Sequence, residues 1–288
     1  MQFNFAKGFL LVMTPIAAPF ALGLSSSPSL AATLGNSEAI VQIGNFSHDP
    51  SEVLILAETY ANTVASNSLV TAEAVNDLIV VDTPFYTDNS SYSTTNGDGS
   101  QYFGLAESRA AIVGYNFLVN SGETFSFDFN AALNLATSID NPEFEAAKAS
   151  SNISLKLYET SNQDNWICLD WFTLSGNLAT MGNNDFLNYE NSNSFTLNLS
   201  ETDLGTSFRK QQEMAQASTG GIFSRTFDVL TNLTLVEVKT NRAEVNAQEG
   251  SVSVPEPSSI LGLLLCIIGM GYRISSKAFR ATREQRLH

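Results

Sequence analysis

The sequence predicts a mainly β protein: an antiparallel β-sandwich or jelly-roll ectodomain flanked by an N-terminal signal peptide and a short C-terminal transmembrane helix. Three observations lead there. Apolar and polar residues alternate with period two in several short runs, the signature of half-buried strands. Charged residues make up only 15% of the chain while 43% are hydrophobic, so polarity is carried by Ser, Thr and Asn, which suit strands and turns better than surface helices. Each end carries an apolar stretch with signals unlike those of the body. The domain plan is therefore a signal peptide at residues 1–32, an ectodomain at 33–246, a linker at 247–257, an apolar helix at 258–272 and a basic tail at 273–288.

The first element is the N-terminal stretch. Lys7 supplies the positive start, an apolar run spans residues 8–24, and Ser29-Leu30-Ala31-Ala32 offers small side chains to a signal peptidase. That order is the grammar of export. Thr14, Pro15 and Pro19 interrupt the run, and prolines in the helix interior argue against a lasting membrane span. Cleavage is expected after Ala31 or Ala32.

The clearest strand is Thr124-Phe125-Ser126-Phe127-Asp128-Phe129-Asn130-Ala131, with its phenylalanines on one face. Residues 153–157 and 195–199 repeat the pattern, and 39–46, 110–118, 167–174, 223–229 and 233–238 are further candidates. Asn120-Ser121-Gly122, Ser175-Gly176-Asn177 and Gly182-Asn183-Asn184-Asp185 carry turn chemistry between them. Many short strands without a strand–helix–strand rhythm indicate a sandwich rather than a parallel sheet. One helix is expected over residues 51–65, capped by Ser51 with Glu52 in its first turn. Residues 87–100, rich in Ser, Thr, Asn, Asp and Gly, read as a mobile loop.

Charge is partitioned along the chain. Of 29 acidic residues only Glu256 and Glu284 lie outside residues 33–254, and of 14 basic ones Lys7 and five in the tail do, leaving 27 acidic and 8 basic in the body. A body of that sign repels phosphate backbones and excludes nucleic acid as a partner. Cys168 and Cys266 are too far apart in context to staple the ectodomain, which must stand on its core.

Catalytic patterns are sparse. A Ser-His-Asp arrangement has only His48 to draw on in the body, within the turn Ser47-His48-Asp49-Pro50, and no Gly-x-Ser-x-Gly elbow occurs. Clustered Cys or His ligands for zinc are missing. The sequence names no catalytic residue and no required cofactor. Calcium has one candidate set, Asn96, Asp98, Ser100 and Glu107. Oxygens stand at alternate positions with a Glu twelfth, echoing an EF-hand loop, but Gln101 occupies the position where the loop needs Gly. A solvated turn is the competing reading. Trp166 and Trp171, with Ile167, Leu169, Phe172 and Leu174 around them, read as a strand buried on both faces, and Cys168 as a core thiol.

The C-terminal end is the most specific feature. Val254-Pro255-Glu256-Pro257-Ser258-Ser259 precedes an apolar run to Tyr272, and Arg273, Lys277, Arg280, Arg283 and Arg286 follow. The prolines disfavour helix before the run and leave an extended segment for a protease. The basic tail holds the terminus in the cytoplasm. Residues 258–272 reach about 22 Å as a helix, short of the roughly 30 Å hydrocarbon core. This segment resembles the PEP-CTERM sorting signal of Gram-negative bacteria. The resemblance implies that Pro255, Glu256 and Pro257 mark the recognition and processing region, that an exosortase-like membrane enzyme is a partner, and that the chain is exported, often beside extracellular polysaccharide. An ordinary single-span anchor is the alternative. The body, through Gly122 to Phe129, Ser138 to Pro142 and Leu233 to Lys239, is similar to exported PEP-CTERM proteins of cyanobacterial type, a resemblance that brings no molecular activity. The expectation is an exported surface or matrix protein of non-enzymatic, structural or adhesive role; the alternative is an extracellular carbohydrate-binding module or polysaccharide-acting enzyme.

Overall fold

The computed structural model describes residues 32–248, apart from residues 83, 163–164, 181, 183, 199–201 and 210. Both terminal signals, including Pro255, Glu256, Pro257 and the basic tail, lie outside the described residues. Thirteen strands occupy the described chain: β1 (Ala32–Gly44), β2 (Glu52–Ala65), β3 (Leu69–Asp82), β4 (Phe85–Asp98), β5 (Gln101–Val119), β6 (Thr124–Ser138), β7 (Glu145–Glu159), β8 (Ile167–Ala179), β9 (Phe186–Asn191), β10 (Phe195–Leu197), β11 (Asp203–Arg209), β12 (Gln212–Thr226) and β13 (Thr231–Gln248). Among the described residues there is no helix.

The strands form two antiparallel sheets. The first runs β10-β12-β6-β1-β4-β3, with β11 also on β12, and the second runs β2-β5-β13-β7-β8-β9. Their inner faces share one core. Phe125, Phe127 and Phe129 of β6 all point inward and are buried, as the alternation requires. Phe127 stacks on Phe223 of β12 at 5.0 Å. Across the gap Phe129 meets Phe172 of β8 at 4.8 Å and Phe125 meets Phe117 of β5 at 4.9 Å. Full burial of each ring is worth about 1.5–3 kcal/mol, so this aromatic cluster locks the two sheets face to face.

Two irregularities aim side chains. In β5 the partner of Leu235 is Gly114 and that of Leu233 is Phe117, and Asn116 takes the left-handed region with φ 55°. The bulge reverses the inward phase of β5, so Phe117 and Val119 continue the core. In β8 the partner of Leu157 is Asp170 and that of Tyr158 is Cys168, which turns Asp170 into a buried position.

Four sequence expectations are corrected here. Residues 52–65 form β2, paired residue by residue with β5 from Glu52↔Tyr115 to Ala65↔Tyr102, not a helix. The β-branched and aromatic residues Val53, Ile55, Thr59, Tyr60, Thr63 and Val64 favour that outcome, and an edge strand exposed on both faces shows no clean alternation. Residues 87–98 belong to β4, between β1 and β3, not to a loop. Their inward side chains are polar because the interior they enter is polar. Ser175-Gly176-Asn177 lies within β8 rather than in a turn. A Cβ at Gly176 would stand 2.8 Å from Leu135 Cδ1, so this glycine serves close packing between the sheets. Finally, β8 is not buried on both faces: Ile167 and Cys168 are exposed, because the bulge ends the regular alternation there.

Candidate functional site

Among the described residues, three groups of side chains with chemistry to offer stand out. The first is the polar half of the interior, built by β4 and β13. On β4 the inward positions are Thr87, Asn89, Ser91, Ser93 and Thr95, all buried. On β13 they are Glu237, Lys239 and Asn241, equally buried. Asn89 donates from Nδ2 to Glu237 Oε1 at 2.7 Å. Asn241 is a hub: its Nδ2 donates to Ser91 Oγ at 2.5 Å, and its Oδ1 accepts from Ser37 Oγ at 3.0 Å. Ser93 donates to Ser108 Oγ at 3.1 Å. Thus β1, β4, β5 and β13 are cross-linked through hydroxyls and amides where a sandwich ordinarily has aliphatic side chains.

Not every atom there is satisfied. Glu237 Oε2, Asn89 Oδ1, Thr87 Oγ1 and Thr95 Oγ1 are buried without a hydrogen-bond partner. Glu237 and Thr87 border a cavity of about 10 Å³, the size of about one water molecule. Burial pushes the Glu237 carboxyl up to about 7, against the pull of Lys239 and the Asn89 hydrogen bond. Burial likewise pushes the Lys239 ammonium down, against Glu237, Asp88 and Asp77. Lys239 Nζ donates to the Ala39 carbonyl at a long 3.5 Å. The arrangement favours a neutral carboxyl and tolerates little charge.

The second place is the outer face of the second sheet. Lys148 Nζ bonds Glu244 Oε1 at 3.1 Å, Arg242 Nη2 bonds Glu244 Oε2 at 2.6 Å, and Arg242 Nη1 bonds Glu107 Oε1 at 2.5 Å. This ladder crosses β7, β13 and β5. Burial opposes the Glu244 charge, but Arg242 and Lys148 outweigh it and hold the carboxyl below its ordinary range.

The third place is the turn after β1. Ser47, His48 and Glu123 form a hydrogen-bonded chain that sequence reasoning did not assemble, because Glu123 arrives from the β5–β6 turn. Ser47 Oγ lies 2.9 Å from His48 Nδ1, and His48 Nε2 lies 3.2 Å from Glu123 Oε2. With Nε2 protonated the imidazole donates to Glu123 and accepts at Nδ1. The Asn120 backbone N–H, then the His48 contact, hold the Glu123 carboxyl below its ordinary range. These three residue types suggest a hydrolase, but Ser47 is committed elsewhere. Its backbone N–H donates to the Ser126 carbonyl at 2.9 Å, and its Oγ accepts from Ser126 N–H at 2.9 Å. The one hydroxyl proton is shared between Thr124 O at 3.2 Å and the imidazole. The trio extends the β1–β6 pairing by two residues and clamps the end of the sandwich.

The calcium candidates are not brought together. Asn96 and Asp98 take the outward-facing parity of β4, in the first sheet, and Ser100 sits in the tight link to β5. Glu107 lies seven residues further along β5, about 20 Å away at strand rise, where Arg242 holds it. The EF-hand spacing is thus drawn out along two extended strands. Among the described residues no group of three or more His, Cys, Asp or Glu is placed to hold a metal ion. Trp166 precedes β8 and packs on Tyr158 at 5.9 Å.

No family model, no curated protein and no solved structure matches this chain.

Proposed function

We propose that this chain is an exported cell-surface or extracellular-matrix protein with a non-enzymatic, structural or adhesive role, sorted through its Pro-Glu-Pro, apolar and basic C-terminal segment. The observation that carries this reading is the position of the sandwich along the chain. Among the described residues the paired strands run from Ala32 to Gln248, so they meet the expected signal segment of residues 1–32 only at Ala32 and stop short of the Pro-Glu-Pro segment. Long strands, an acidic surface and hydroxyls and carboxylates tied into cross-links suit a durable body outside the cell. An exosortase-like membrane enzyme would act at Pro255, Glu256 and Pro257, and the membrane would hold residues 258–272 until then.

Envelope fractionation checks the reading. The protein is expected at the outer face of the cell or in the surrounding matrix, and a cytosolic pool of the intact chain contradicts it. The purified protein is then offered extracellular polysaccharides with and without calcium. Glycan turnover or saturable sugar binding would move the assignment to a carbohydrate-binding module or polysaccharide-acting enzyme.

A further inference from the structure

The two lateral sides of the sandwich are unlike. On one side the edge strands are short: β9 has 6 residues, β10 has 3 and β11 has 7. On the other side β2 and β3 each present 14 residues. Neither β2 nor β3 contains Lys, Arg or Pro, the residues that ordinarily keep an edge from pairing. Of the two, β2 is the less charged, with Glu52 and Glu58 against Glu73, Asp77 and Asp82 on β3. Asn76 of β3 donates from Nδ2 to the Glu58 carbonyl of β2 at 2.9 Å, while Ile55, on the inter-sheet side of β2, is 44% exposed.

The phase of β2 is fixed by the structure. Ser66 N–H donates to the Gln101 carbonyl, continuing the register in which Ala65 opposes Tyr102. In an antiparallel ladder alternate residues bond to a given neighbour. Even-numbered residues therefore bond to β5, and odd-numbered residues from Val53 to Ala65 aim N–H and C=O away from it, along the free edge of the sheet.

We propose that a second copy of this chain pairs with β2 in antiparallel fashion about a two-fold axis at Thr59, joining the two six-stranded sheets into one continuous sheet. A two-fold axis perpendicular to the sheet keeps outer faces together, so each residue meets one of the same parity. An axis at Glu58 would set that carboxylate opposite itself. An axis at Thr59 sets Glu58 opposite Tyr60, Leu54 opposite Val64 and Thr59 opposite its own copy, with no like charges directly paired. It also uses nearly the whole strand. A contact about 43 Å long and about 10 Å deep buries about 860 Å² in total, the size of a weak, concentration-dependent association. Because the bodies are both acidic, salt strengthens the dimer by screening their repulsion.

Cysteine trapping tests this. The full-length chain carries Cys168→Ser and Cys266→Ser, and Thr59→Cys is added. Paired residues that exchange hydrogen bonds have Cα atoms about 5.5 Å apart, within disulfide reach. Mild oxidation is expected to trap the Thr59→Cys protein as a covalent dimer, faster at high salt. Ala57→Cys and Ala61→Cys are each expected to trap at least about tenfold more slowly alone, since each opposes the other position, and to trap readily when mixed. Equal trapping by Ala57→Cys alone, or no covalent dimer from any variant or mixture, overturns the proposal.

Discussion

Asn89 of β4 reaches across the gap between the sheets to donate to Glu237 of β13 at 2.7 Å, and neither side chain touches bulk water. This link sits beside Lys239 on the same face of β13, and Glu237 shares a small cavity with Phe46, Phe85 and Phe117 of the aromatic half of the core. It makes the sandwich part apolar and part polar, and several measurable consequences follow from that division.

The polar half should leave a mark on stability against pH. Glu237 is raised by burial to about 7, so between its ordinary value of 4.5 and about 7 the native state keeps a proton that the unfolded chain has lost. Stability contributed by this group falls as pH rises through that window. Lys239 is lowered by burial, so above neutrality the unfolded chain holds a proton that the native state lacks, and stability rises again. Chemical denaturation from pH 4.5 to 9 should show a shallow minimum near neutrality, a few kcal/mol deep at most. Glu237→Gln should remove the falling limb and leave the rising one.

Asn241 should be the most sensitive polar position. Replacing it by Ala removes the partner of Ser91 Oγ and one partner of Ser37 Oγ, leaving buried groups without hydrogen bonds. A loss of about 3 kcal/mol is expected from urea unfolding. Asn241→Asp, which retains the shape but introduces a buried charge, should be at least as harmful above pH 5.

The aromatic half should respond to volume. Phe127 contacts Phe46, Phe125, Phe195 and Phe223, and Phe127→Ala should cost about 3–5 kcal/mol through lost burial and the cavity left behind. Phe127→Leu should cost distinctly less. Both are read from the urea midpoint at unchanged slope.

Ser47 separates a clamp from a nucleophile. As a clamp, Ser47→Ala should cost about 1 kcal/mol by releasing the Ser126 N–H. Hydrolysis of simple activated esters by the wild-type protein, abolished by Ser47→Ala and by His48→Ala, would instead assign catalysis to the Ser47–His48–Glu123 chain.

Much of the fold was legible where burial is one-sided and apolar. The alternation at Phe125, Phe127 and Phe129 announces β6 because one face meets a greasy core and the other meets solvent or polar neighbours. The same rule fails for β4, whose inward Thr87, Asn89, Ser91, Ser93 and Thr95 look like loop residues. Asn89 and Ser91 find their side-chain partners, Glu237 and Asn241, some 150 residues away in sequence, where local pattern cannot show them. The helix expected over 51–65 fails for the converse reason: β2 is an edge, so Val53, Leu54, Ile55 and Leu56 run consecutively without a period. Of the candidate site residues, Glu107 became intelligible only through Arg242, and His48 only through Glu123, both brought by pairings that local spacing does not encode.

The central claim is that the sandwich is the cargo of two terminal signals, and intact mass of the protein recovered from its native cell envelope tests it most directly. The account predicts a species shortened at both ends, beginning just after Ala31 or Ala32 and lacking the residues beyond Pro255-Glu256-Pro257. Recovery of the undivided 31.1 kDa chain, with Lys7 at one end and Arg280 and Arg286 at the other, would contradict it.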